Sequence, residues 1–97
     1  MNVKTLHNSD VSGARKNVSD LVVYGNGDAF QLLCKASSRD EGWMKSTKAM
    51  QIDGVGCVVQ VTTQQGDNVA ESITFVPGVR VVSIGGNVEN GRELIAI

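Results

Sequence analysis

The sequence predicts an all-β fold: a small antiparallel sandwich or barrel of about six to seven short strands, preceded by a polar N-terminal arm. Three observations predict it. From Asp20 onward, short apolar runs alternate with Gly-containing turns. Several runs alternate apolar and polar residues with a period of two, as half-buried strands do. No window from 20 to 97 carries a convincing helical period, so βαβ units are not supported. The turns are short, which makes sequential hairpins the default connection.

Residues 1–19 form the arm. They are rich in Asn, Ser, Asp, Lys and Arg. Ser9-Asp10 could cap a short helix through Asn17, which Gly13 opposes. Residues 20–97 form a single β domain. Leu21–Tyr24 (LVVY) reads as a first strand, closed by Gly25-Asn26-Gly27-Asp28, a hairpin signal that suits a type I′ turn. Ala29–Ser37 follows, with Phe30, Leu32, Cys34 and Ala36 on one face. After the polar loop Ser38–Gly42 comes Trp43–Ile52, and Asp53-Gly54-Val55-Gly56 turns the chain. In Cys57–Gln65, Cys57, Val59, Val61 and Thr63 face one way, and Gln60, Thr62 and Gln64 the other. Val69–Val76 is expected to point Val69, Ile73 and Phe75 inward, with Glu71 on the same parity. Pro77-Gly78 fits a type II turn. Val79–Ile84 and Arg92–Ile97 complete the set, separated by a Gly- and Asn-containing loop.

Ninety-seven residues suffice for one small domain. A domain of that size buries only about 60–65% of its unfolded surface, so its core is thin and oligomerisation is an expected source of stability. Four aromatic residues, Tyr24, Phe30, Trp43 and Phe75, leave the core to aliphatic side chains, chiefly Val. A net charge of −1 argues against attachment to nucleic acid by bulk charge. Met1–Asp10 holds no apolar run and no window is long enough to span a membrane, so the expected location is the cytoplasm (of the host cell, for a phage protein), with no membrane partner. Two Cys make no disulfide framework, and both are expected to be free.

The residues offer little for catalysis. His7 is the only His and lies in the arm, where a solvated surface role is the plain reading. Cys34 and Cys57 stand on apolar strand parities and read as buried small hydrophobes, although spacing does not exclude a Cys–His pair. Two distant Cys and one His do not make a zinc site, and the acidic residues do not follow a calcium-loop pattern. Gly25-Asn26-Gly27 and Gly54-Val55-Gly56 lack the following helix of a phosphate loop. No enzyme and no cofactor are expected.

Three features point to binding. Within GWMKSTKAM, residues 42–50, strict alternation puts Trp43, Lys45, Thr47 and Ala49 on one face and Met44, Ser46, Lys48 and Met50 on the other. Trp43 with Lys45 and Lys48 could make the basic stacking surface of a single-stranded nucleic-acid binder. The plainer reading is an edge strand guarded by Lys. Second, Glu71 and Lys48 both fall on apolar parities, where a lone buried charge is costly. They could pair, line a cavity, or be displaced by a bulge. Third, Gln60, Thr62 and Gln64 with Ser72 and Thr74 suggest a neutral polar face, either solvated or in a homo-oligomeric contact. The candidate binding surface is therefore Trp43, Lys45, Lys48, Arg39 and Glu71.

From Gly42 to Val82 the string GWMKSTKAMQIDGVGCVVQVTTQQ…ESITFVPGVRVV resembles small uncharacterised proteins encoded by tailed bacteriophages and prophages. The resemblance implies a short, non-essential phage gene product that binds host factors, neutralises a defence system or belongs to the virion. It brings no functional residues. The expected function is that of a non-enzymatic binding protein acting on a host or defence-system protein, or sequestering a small ligand, as a homo-oligomer. Two alternatives stand: a single-stranded nucleic-acid-binding module, in which Arg15, Lys16, Arg39, Lys45 and Lys48 converge beside Trp43, and a virion structural component. The apolar end Leu94-Ile95-Ala96-Ile97 needs a sheet neighbour, in its own chain or another.

Overall fold

The computed structural model describes residues 19–97. The arm's expected helix, His7, Arg15 and Lys16 lie outside them. Among the described residues six strands form two antiparallel sheets. The larger is a meander in the order β1 (Gln31–Ser38), β2 (Trp43–Ile52), β3 (Gly56–Gln65), β4 (Asn68–Pro77). The smaller is a hairpin of β5 (Val79–Ser83) and β6 (Arg92–Ala96), joined through two short 3₁₀ turns, Ile84–Gly86 and Val88–Asn90. The fold is all-β and antiparallel, as the alternation predicts. Among the described residues β1 and β4 do not pair with each other, so the sheet is not closed into a barrel.

Pairing fixes the faces, because directly opposed residues share one. Ala49 opposes Val59, Thr47 opposes Val61, and Lys45 opposes Thr63. Cys57 opposes Val76 and Val59 opposes Thr74. This side is the inner face. The outer face carries Met44, Ser46, Lys48 and Met50 with Gln64, Thr62, Gln60 and Val58, then Val69, Glu71, Ile73 and Phe75. The two parities of GWMKSTKAM are thus the two faces of the sheet.

The hairpin covers one end of the inner face. Val79, Val81 and Leu94 pack on Leu33, Ala49 and Cys57, of which Ala49 and Cys57 are wholly buried. Small side chains at 49 and 57 let the second layer approach. Polar contacts seat it: the Val81 N–H donates to Gln51 Oε1 at 2.8 Å, the Cys57 thiol to the Val79 carbonyl at 3.6 Å, and Arg92 Nη1 to the Leu32 carbonyl at 2.7 Å. The last reaches a β-bulge, since the β1–β2 register slips between Leu32 and Cys34. The bulge turns Leu33 into the core. Gly91 passes so near that a Cβ there would stand 2.8 Å from the Leu33 carbonyl oxygen.

Six expectations need correction. LVVY is not a strand: Val22 is 94% and Tyr24 97% exposed, although the Gly27 N–H does close its turn on the Tyr24 carbonyl. The strand expected at Ala29 starts at Gln31, and its bulge breaks the parity, sending Leu32 to the outer face while Cys34 and Ala36 stay on the inner one. Cys34 is exposed; only Cys57 is buried. Val69, Ile73 and Phe75 do not point inward: they are 57%, 61% and 45% exposed on the outer face of an edge strand. Ser72 and Thr74 lie on the inner face, opposite in side to Gln60, Thr62 and Gln64. Pro77-Gly78 is a turn, with Gly78 at φ 71°, but it is a corner between the sheets rather than a hairpin. The carboxyl end finds its neighbour in its own chain, as β6 on β5, with the Ile97 N–H on the Gly78 carbonyl.

Candidate functional site

Strand length decides what is left open. Five residues in each hairpin strand span roughly 16 Å, against roughly 33 Å for ten residues of β2 or β3, at about 3.3 Å per residue. The hairpin therefore roofs the Ala49–Cys57 end, and among the described residues no element roofs the Trp43 end of the inner face. Two adjoining open hollows lie there, of about 300 and 340 Å³. Cys34, Thr47 and Val61 line the first, Trp43 and Gln65 the second, and Ala36, Lys45 and Thr63 both.

Local turns hold this end in place. The Gly42 N–H donates to the Ser38 carbonyl at 2.8 Å, and the Gly66 N–H to the Gly42 carbonyl at 2.9 Å, tying the β1–β2 turn to the β3–β4 turn. The Glu41 N–H donates to Ser38 Oγ at 3.1 Å, and the indole Nε1–H of Trp43 donates to Glu41 Oε1 at 2.8 Å. Trp43 is half-buried, its polar edge engaged and part of its ring free; Lys45, two residues on and on the same face, is exposed.

The outer face takes the other two strand residues of the predicted surface. Lys48 pairs with Asp28 at 2.7 Å, with side chains 26% and 30% exposed. Burial pushes the Asp28 carboxyl up, but the Lys48 hydrogen bond, the Phe30 N–H and the Lys48 charge outweigh it, so it titrates below its usual value. Lys35, opposite Ser46 on this face, titrates below the usual lysine range through burial and through repulsion from Lys48. Glu71 accepts from Gln60 Nε2 and Thr62 Oγ1, both at 3.2 Å. Lys48 and Glu71 share a face and each has a partner, but not each other.

Trp43 and Lys45 are thus brought together, while Lys48 and Glu71 lie on the opposite face and Arg39 is exposed in the β1–β2 turn. β2 is an inner strand, so its lysines do not guard an edge. Sequence reasoning missed Cys34, Ala36, Thr63 and Gln65, which reach the site from neighbouring strands. The signal for two of them was available: the Asp53–Gly56 turn sets a register in which Trp43 opposes Gln65 and Lys45 opposes Thr63. Among the described residues no group of three or more His, Cys, Asp or Glu could hold a metal, and no helix is long and apolar enough to cross a membrane.

The Lockin family model matches residues 1–95. The chain belongs to the Lockin family. Comparison with curated proteins and with solved structures gives no match.

Proposed function

We propose that this Lockin-family chain acts by binding a partner protein through the uncovered end of its inner face, without chemistry of its own. The observation that carries this reading is that, among the described residues, no second layer covers Trp43 and Lys45, on a sheet that holds both side chains in place. A half-exposed Trp beside a cation on an inner strand of the sheet has the composition of a binding hot spot. The hollows are open, whereas small-molecule sites bury most of their ligand, so a protein surface fits better than a sequestered metabolite. The resemblance to phage-encoded proteins makes a host or defence-system protein the expected partner. Single-stranded nucleic acid fits less well, because Lys48 lies on the face away from Trp43 and Lys45.

Affinity capture from host cells, comparing wild type with Trp43→Ala and Lys45→Glu, tests the reading. A protein enriched by wild type and by the control Arg80→Ala, at an exposed β5 position outside both hollows, but lost from both site variants, is the expected result. Equal recovery by all forms would refute it. Salt-sensitive oligonucleotide binding that needs Trp43 would move the assignment to nucleic acid. A small ligand retained in native mass spectrometry would move it to sequestration.

A further inference from the structure

The two edges of the four-stranded sheet are built differently. β1 carries the devices that stop a sheet from growing: a bulge at Leu33, Lys35 within the strand, and Arg92 bonded to the Leu32 carbonyl. β4 carries none of them. It pairs with β3 without a register break from Asn68 to Pro77. It contains no Lys or Arg, and its Pro is the last residue. Its one charge, Glu71, is already held by Gln60 and Thr62. Nearly the whole strand is exposed, with Val69, Ile73 and Phe75 forming an apolar row on the outer face. A ten-residue strand of this kind is a template for another strand.

We propose that β4 is a homodimer interface, on which a second copy adds its own β4 antiparallel to make one continuous eight-stranded sheet. The occupant follows from the symmetry of the strand. A two-fold axis normal to the sheet keeps outer faces together, so odd-numbered residues oppose odd-numbered ones. About Ser72, Val69 opposes the Phe75 of its partner copy, Glu71 opposes Ile73, and Ala70 opposes Thr74. Apolar thus meets apolar at both ends, and the two carboxylates are not opposed. A register centred on Glu71 would set like charges face to face and is disfavoured. The strand matches itself at both ends, where Val69 meets Phe75, and the described chain leaves it without a neighbour on that side. The pairing is independent of the Trp43 surface, which lies on the other face.

Native mass spectrometry and sedimentation across a concentration series of the full chain test this, with hydrogen exchange read at the β4 amides. Wild type is expected to form a concentration-dependent dimer. Ile73→Lys is expected to weaken it by at least about tenfold, since a lysine on the edge resists pairing. Trp43→Ala leaves it intact. The β4 amides that do not bond β3 gain protection as concentration rises; this readout decides the matter if Ile73→Lys fails to fold. A wild type that stays monomeric at the highest concentration overturns the proposal. So does a dimer whose outward β4 amides exchange freely, or a monomer in which they are protected at every concentration, since the edge would then be covered by its own chain.

Discussion

Single residues set the chemistry this surface can show. Cys34 and Cys57 are both on the inner face, but only Cys34 is exposed; Cys57 lies under the hairpin with its thiol on the Val79 carbonyl. An aromatic disulfide reagent should therefore titrate one thiol in the native protein and two in denaturant. Two rapidly reacting native thiols would mean that the hairpin does not seal the core. The Asp28–Lys48 pair makes a second residue-level prediction. Asp28 has a folded-state titration point below its unfolded one, near 3.9. The stability it contributes is therefore present above about pH 4 and is lost as pH falls through the folded value. Both partners keep contact with water, so Asp28→Asn should cost only about 0.5 kcal/mol at neutral pH. Denaturant melts at falling pH should show the gap between wild type and variant closing in acid. A gap constant with pH would mean that the loss is one of packing.

At the scale of elements, the seat of the hairpin joins the two sheets through the cluster of Leu33, Ala49 and Cys57. Arg92 donates to the Leu32 carbonyl beside the Leu33 bulge, in a part-buried contact. Gln51 accepts from the Val81 N–H where water can replace it. Arg92→Ala should then cost about 1–2 kcal/mol, and Gln51→Ala a few tenths. Equal losses on urea unfolding would show that the bulge is not the anchor. The bulge also marks the limit of what the sequence shows. Five later strand runs read correctly to within a residue or two, because Gly turns and period-two alternation are local signals. LVVY reads just as well, and its Gly-Asn-Gly turn does close, but a strand also needs an edge to pair with. Parity counted along Ala29–Ser37 goes wrong where one extra residue enters. In β4 the alternation is correct and its meaning is reversed: period two separates faces without saying which is inside. Likewise, parity already placed Lys48 opposite in face to Trp43 and Lys45; only the separation of the hairpin-covered end from the open end required the second layer.

The whole molecule joins the two proposals. A two-fold axis normal to the sheet leaves both inner faces on the same side of the dimer. Two Trp43–Lys45 surfaces would then point one way, a bivalent array across eight strands. Binding to a dense or repetitive target gains from that geometry, since the second contact forms at a high effective concentration. Binding to a monovalent partner in solution gains nothing. Once a partner is in hand, Ile73→Lys should leave its affinity in solution unchanged and weaken retention on a surface coated with it by at least about tenfold. Trp43→Ala should abolish both. An Ile73→Lys protein that binds the coated surface as wild type does would show that the copies act singly, whatever the β4 edge does in solution. Equal weakening in both formats would instead place Ile73 in the partner contact, and would assign the apolar row of β4 to the partner rather than to a second copy.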